Sequence, residues 1–234
     1  MHTTSAGRSA APAAPTRSTS HALLAVAACA VVLALLGWAV VADWAPLMSV
    51  DRSVSTALYV GDDRSLPVWV LLQVATAPGS FGVRMVLFLP VLVWLVLRRA
   101  WWTAAWVLTA TALVSPLTDL LKDLVGRQRP QFAGGGAGYD SLSFPSGHCS
   151  GIATLVTVAL VLGWPLLTPV GRRVWSAVGV ALVVLVGLTR MWLGVHFLSD
   201  VVGGWALGLG WTLLVVVAFG ALPGGRAALP GRPS

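Results

Sequence analysis

Glutamate is absent from this 234-residue chain, and lysine occurs once, at position 122. All eight acidic residues are Asp, and fourteen of the fifteen basic residues are Arg. This one-sided usage reads as base-composition bias and carries no functional message. Charge itself is scarce, at 10% of residues, where soluble domains carry about a quarter. With 57% hydrophobic residues, that shortage excludes an ordinary soluble domain and predicts a chain embedded in a bilayer. Cysteine is scarce too. Cys29 and Cys149 have no spacing that suggests a disulfide framework or a metal site, and both read as small apolar residues. No polybasic run is present: the net charge of +7 is spread between apolar segments, which argues against a nucleic-acid partner. No internal repeat is visible.

The chain consists mainly of apolar runs. Residues 1–20, rich in Ala, Ser, Thr and Pro, read as a disordered tail. The uncharged run 22–42 is long enough to span. Arg8 and Arg17 before it and Ala42 after it also fit a cleaved leader, but the apolar part of a leader runs about 7–15 residues. The run therefore reads as a retained first helix. Residues 43–67 are polar, 68–77 form an apolar stretch suited to an interfacial helix, and Pro78-Gly79-Ser80 breaks it. Further spans are expected at 85–97, with Arg84 at its outer edge, and at 101–121, 151–170, 174–188 and 201–222. Trp101, Trp102, Trp164 and Trp175 fall near span ends and read as interfacial anchors. The expected fold class is all-α, a polytopic membrane protein with a six-transmembrane-helix bundle over 21–222 and a C-terminal tail over 223–234.

With the N-terminus in the cytoplasm, the inner segments hold Arg8, Arg17, Arg98, Arg99, Arg172, Arg173, Arg226 and Arg232 and no acid. The outer segments and outer span ends hold the other seven basic residues and all eight Asp. The bias of Arg and Lys toward the cytoplasm supports this orientation, with both termini inside.

Three polar clusters interrupt the apolar pattern, all on the outer side. They are Lys122 to Pro130, Ser143 to His148 and Thr189 to Asp200. Lys122, Arg129 and Arg190 would repel one another in a common pocket unless an anion lay between them. Guanidinium forks match phosphate oxygens, and Lys adds a point charge. Ser146 and Gly147 precede the fourth span, where a helix N-terminus offers free amides to an anion. His196 and Asp200 are four apart, which on a helix places them on one face. A carboxylate there fixes the imidazole tautomer and leaves the other ring nitrogen free to attack phosphorus. His148 is then the proton donor to the leaving oxygen and the activator of water. No metal is expected: the two histidines lie on separate segments and the cations would repel a metal ion.

The clusters resemble the signature of the type 2 phosphatidic acid phosphatase superfamily. That signature is Lys, six residues, Arg-Pro; then Pro-Ser-Gly-His; then Ser-Arg, five residues, His, three residues, Asp. Lys122, Arg129 and Pro130 match the first part, Pro145 to His148 the second, and Arg190, His196 and Asp200 the third. Thr189 stands where the family usually has Ser and keeps the hydroxyl. The resemblance implies that His196 is the nucleophile, Asp200 its orienting partner and His148 the general acid and base. It implies that Lys122, Arg129, Ser146, Gly147 and Arg190 bind phosphate. Arg127 and Asp123 fall outside the signature and take no role from it.

The function expected is hydrolysis of a lipid phosphomonoester or pyrophosphate at the outer face of the cell membrane, without cofactor or obligate protein partner. Phosphatidic acid, phosphatidylglycerol phosphate and polyprenyl pyrophosphate are candidate substrates. A phosphoryl or head-group transferase of the same fold is an alternative. From another class comes a non-catalytic lipid-phosphate binder or transporter, which would not need His148, His196 and Asp200 together.

Overall fold

The computed structural model describes residues 17–61, 63–132 and 141–230. The expected tail therefore lies largely outside the described residues, and α1 (Arg17–Val41) begins at Arg17. The chain continues through α2 (Ala45–Leu58), α3 (Leu66–Thr76), a 3₁₀ turn (Ala77–Gly79), α4 (Phe81–Leu97) and α5 (Trp101–Val125). Then come α6 (Gly147–Gly163), α7 (Pro169–Trp192) and α8 (Leu198–Phe219). Five helices, α1 and α5 to α8, are long and apolar enough to cross a membrane. The pair α3–α4, bent by 53° at the 3₁₀ turn, makes a sixth where it counts as one broken span. The protein is an all-helical, multi-pass membrane protein.

Two elements differ from the sequence expectation. The polar stretch after α1 is largely helical: α2 buries Asp51 and Ser55, four residues apart, on one face. Its polar composition hid the helix because its buried face is itself polar. Arg84 also differs. It stands in the first turn of α4, at the edge expected, but is only 1% exposed. Its guanidinium donates to the carbonyls of Gly79 (3.3 Å) and Thr111 (3.2 Å) and to Ser115 Oγ (2.7 Å). These acceptors replace the water that a cation needs in an apolar interior.

The centre of the bundle is the α6–α8 pair. α8 presents Gly204 and Gly208 to α6, and a Cβ at either would strike the backbone of Ser146 or Ser150. Small residues four apart let two membrane helices approach closely. α1 packs on α8, α5 on both α6 and α8, and α7 on α6. A core around Leu95, Trp106, Val107, Val158 and Val216 fills the end where Arg98, Arg99, Arg172 and Arg226 lie. Residues after α8 fold back there: the Ala227 carbonyl accepts from Thr103 Oγ1 (2.9 Å) and Trp106 Nε1 (3.2 Å). Trp101, Trp102, Trp164 and Trp175 are exposed or partly so on the outside of the bundle. The opposite end carries the three polar clusters.

Candidate active site

Asp200 occupies the first turn of α8. Its Oδ2 accepts from the amide of Phe197 (2.9 Å) and lies 3.4 Å from His196 Nδ1. His196 itself precedes the helix, so the four-residue spacing works through a helix cap and not through a shared helix face. A carboxylate in the first turn is also favoured by the helix dipole. Arg129 Nη1 lies 3.2 Å from His196 Nε2. A guanidinium can only donate, so Nε2 carries the lone pair and Nδ1 carries the hydrogen directed at Asp200. The imidazole is 2% exposed. Burial, reinforced by Arg190 and Arg129 and opposed by Asp200, holds its pKa below the ordinary 6.5, at about 4. His196 is neutral at physiological pH, the state in which an imidazole can act as a nucleophile.

The cations converge on the same place. Lys122 lies in the last turn of α5, 3.6 Å from Asp119 and 4.0 Å from where a Cβ on Gly147 would sit. Arg129 follows on the extended segment after α5. It is anchored by the carbonyls of Ser141 (2.7 Å) and Val195 (2.7 Å). Arg190 ends α7, is 2% exposed, and reaches toward Thr76 Oγ1 (3.5 Å). His148, in the first turn of α6, is close enough to Arg190, His196, Arg129 and Lys122 for their charges to act on it. Ser146 is the N-cap of α6, with its amide bonded to the Asp200 carbonyl (2.9 Å). Its buried hydroxyl finds no oxygen or nitrogen partner among the described residues. A buried hydroxyl left without a partner is costly, and an anion at the helix N-terminus would supply one. All eight expected site residues thus lie at one end of the bundle. Thr189 lies beside them, but its hydroxyl turns back to the Val186 carbonyl (2.6 Å).

Two further residues enter the site without a motif to announce them. Arg127 sits between the carboxylates of Asp51 (2.6 Å) and Asp200 (2.7 Å). Its position two residues before Arg129 was visible in the sequence. Its partner on α2, 76 residues away, was not. Among the described residues, no three His, Cys, Asp or Glu side chains gather as a metal cluster would.

Over 96 residues the chain is 43% identical to phosphatidylglycerophosphatase B of Bacillus subtilis, covering 40% of this chain and 46% of the relative. Over 115 residues it is 39% identical to decaprenylphosphoryl-5-phosphoribose phosphatase of Mycobacterium tuberculosis, covering 47% and 56%. The chain thus spans about half the length of the curated relatives it matches. The crystal structure of a transmembrane PAP2-type phosphatidylglycerolphosphate phosphatase from Bacillus subtilis superposes with a TM-score of 0.69 at 26% identity. That match covers 81% of this chain and 93% of the other. The profile of the PAP2 superfamily matches residues 100–222, more than half of the chain and every residue of the three-part signature, so this protein belongs to the PAP2 superfamily.

Proposed function

We propose that the protein is a lipid phosphatase working through a phosphohistidine, with His196 as nucleophile. The observation that carries this reading is the imidazole itself: neutral, with Nδ1–H on Asp200 and the Nε2 lone pair among cations. In the first step a bond forms between Nε2 and phosphorus while the ester P–O bond breaks, and His148 gives its proton to the leaving oxygen. Arg129 leaves Nε2 for the phosphate oxygens, where Arg190, Lys122, the Ser146 hydroxyl and the Gly147 amide join it. In the second step His148 takes a proton from water, the water oxygen bonds to phosphorus, and the N–P bond breaks. Inorganic phosphate leaves.

The relatives support a lipid substrate, since both curated proteins and the solved structure are named for lipid phosphates. The apolar helices support it independently, because the site lies at one end of a bundle of membrane-spanning length. The outer face is the proposed side, with both termini in the cytoplasm. The charge distribution supports this: Arg98, Arg99, Arg172 and Arg226 gather at the end opposite the site. The test is phosphate release by purified protein from a panel holding phosphatidic acid, phosphatidylglycerol phosphate and a polyprenyl pyrophosphate, beside His196→Ala. Release from at least one lipid, lost by 10³-fold or more (on the order expected for removing a nucleophile) in the variant, is the expected result. Equal release by both proteins would end the mechanism.

A further inference from the structure

His196 is oriented by Asp200, and Asp200 is in turn held by groups the signature leaves unassigned. Arg127 Nη1 donates to Asp200 Oδ1 (2.7 Å) and to Ser199 Oγ (2.7 Å), and Nη2 donates to Asp51 Oδ2 (2.6 Å). Asp51 Oδ1 accepts from the amide of Ser199 (2.9 Å), and Oδ2 also accepts from the Ser199 hydroxyl. The ring of Phe197 lies against the guanidinium, 4.1 Å from its centroid. The Arg127 side chain is 8% exposed, Asp51 1% and Asp200 0%. A carboxylate, a guanidinium, a second carboxylate and an imidazole therefore form one buried chain. It crosses from α2, through the segment after α5, to the start of α8.

The charges decide what this chain does. An arginine paired with Asp200 alone would cancel the charge that Asp200 offers to His196. Asp51, on the far side of the guanidinium, restores one net negative charge to the group. A tie between α2 and α8 would need only one of these carboxylates, and burying the second without a use for its charge is unfavourable. We propose that Asp51 and Arg127 are positioning residues for His196. Arg127 fixes the plane of the Asp200 carboxylate. Asp51 keeps the group negative, so that it stabilises the ring when Nε2 carries the phosphoryl group. This proposal rests on the phosphohistidine reading for its last step, while the charge relation stands on geometry alone.

Other groups act on the same imidazole: Arg129 after α5, Arg190 at the end of α7 and His148 at the start of α6, with Lys122 of α5 acting on His148. The experiment leaves all of them in place. Full-length protein in detergent micelles is compared with Asp51→Asn, Arg127→Gln and the double variant. Asn retains an oxygen for the Ser199 amide. Two quantities are read: the protonation of His196, from ¹⁵N side-chain resonances assigned with His196→Gln, and kcat and KM on phosphatidic acid or whichever lipid the wild type hydrolyses. Each single variant changes the charge near the ring by one unit, worth about one pH unit at an effective dielectric constant of about 20. The variants are compared at the pH that leaves the wild-type ring half protonated, a value below the ordinary histidine range. Asp51→Asn should lower the protonated fraction to about a tenth and Arg127→Gln should raise it to about nine-tenths, while the double variant returns toward half. In Asp51→Asn, kcat should fall about tenfold with KM nearly unchanged. Unmoved or same-direction midpoints in the two single variants, with only a loss of thermal stability, would overturn the proposal. If Arg127→Gln does not fold, Asp51→Asn and Arg127→Lys decide it, the latter keeping the wild-type midpoint. If the wild type releases no phosphate, the phosphatase reading falls and the histidine midpoints still decide the charge relation.

Discussion

Gly208 bears no side chain, and two helices use the space. Its carbonyl accepts from Thr212 Oγ1 (2.7 Å) within α8 and from Thr154 Oγ1 (3.3 Å) across from α6. A Cβ here would overlap the Ser150 carbonyl and come within 2.9 Å of Ala153 Cβ. Both obstacles belong to a helix that cannot shift without moving His148 and Ser146. Gly208→Ala should therefore cost roughly 2–4 kcal/mol by overpacking, read as a lowered unfolding midpoint in detergent. Gly82→Ala is the comparison, because nothing lies within 4 Å of a Cβ there and its effect should be near zero or slightly favourable. Similar midpoints for the two variants would mean that α6 and α8 do not depend on their close contact. At this scale the site was legible: His148, His196, Asp200, Lys122, Arg129 and Arg190 stand at motif spacings. Asp51 was not, because a carboxylate in a polar stretch is indistinguishable from a solvated one until its partner is known.

The bent pair α3–α4 shows how an element serves the site from outside the signature. α4 has 17 residues, a rise of about 25 Å, which falls short of the roughly 30 Å hydrocarbon thickness. Taken with the 3₁₀ turn and α3, the bent pair is long and apolar enough to cross. The turn is pressed against the start of α6, with Gly79 packed on the backbone of His148. Ser80 caps α4, accepting from the Val83 amide (3.4 Å). Arg84 ties the turn to α5 through Thr111 and Ser115. Arg84→Met should free the turn, lower the unfolding midpoint and reduce phosphate release at least tenfold, since His148 loses its backing. Arg84→Lys, with one donor group where the fork has three acceptors, should fall between. Full activity and unchanged stability in Arg84→Met would show that the turn holds without it. The sequence signals for this element were the break at 78–80 and the isolated arginine. Where that arginine points was not among them, because α5 alone supplies two of its acceptors.

The whole molecule separates its charges by end, and that separation makes a prediction about sides. Ser65 is exposed at the end that carries the site, and Pro230 is exposed at the other. The native thiols suit a labelling experiment poorly: Cys149 is fully buried and Cys29 is partly covered. Cysteine introduced as Ser65→Cys should react with a membrane-impermeant maleimide in intact cells. Cysteine introduced as Pro230→Cys should react only after the membrane is opened. The reverse pattern would turn the site to the cytoplasm and remove the charge argument.

Apolar runs of 20 or so residues and the scarcity of charge determined by themselves that this chain is a membrane-spanning helical bundle. In an apolar solvent the backbone must satisfy its own hydrogen bonds, and helices do so locally. Motif spacing likewise singled out the residues we propose to meet a phosphate, because each signature segment is short and stands at a span end. Tertiary structure alone decided the rest. It made the His196–Asp200 pair a helix cap, turned Arg84 inward, and brought Asp51 from α2 to Arg127. The last two outcomes depend on partners 27 to 148 residues apart. Such distances leave no periodicity in the sequence, and only the packing of the helices closes them.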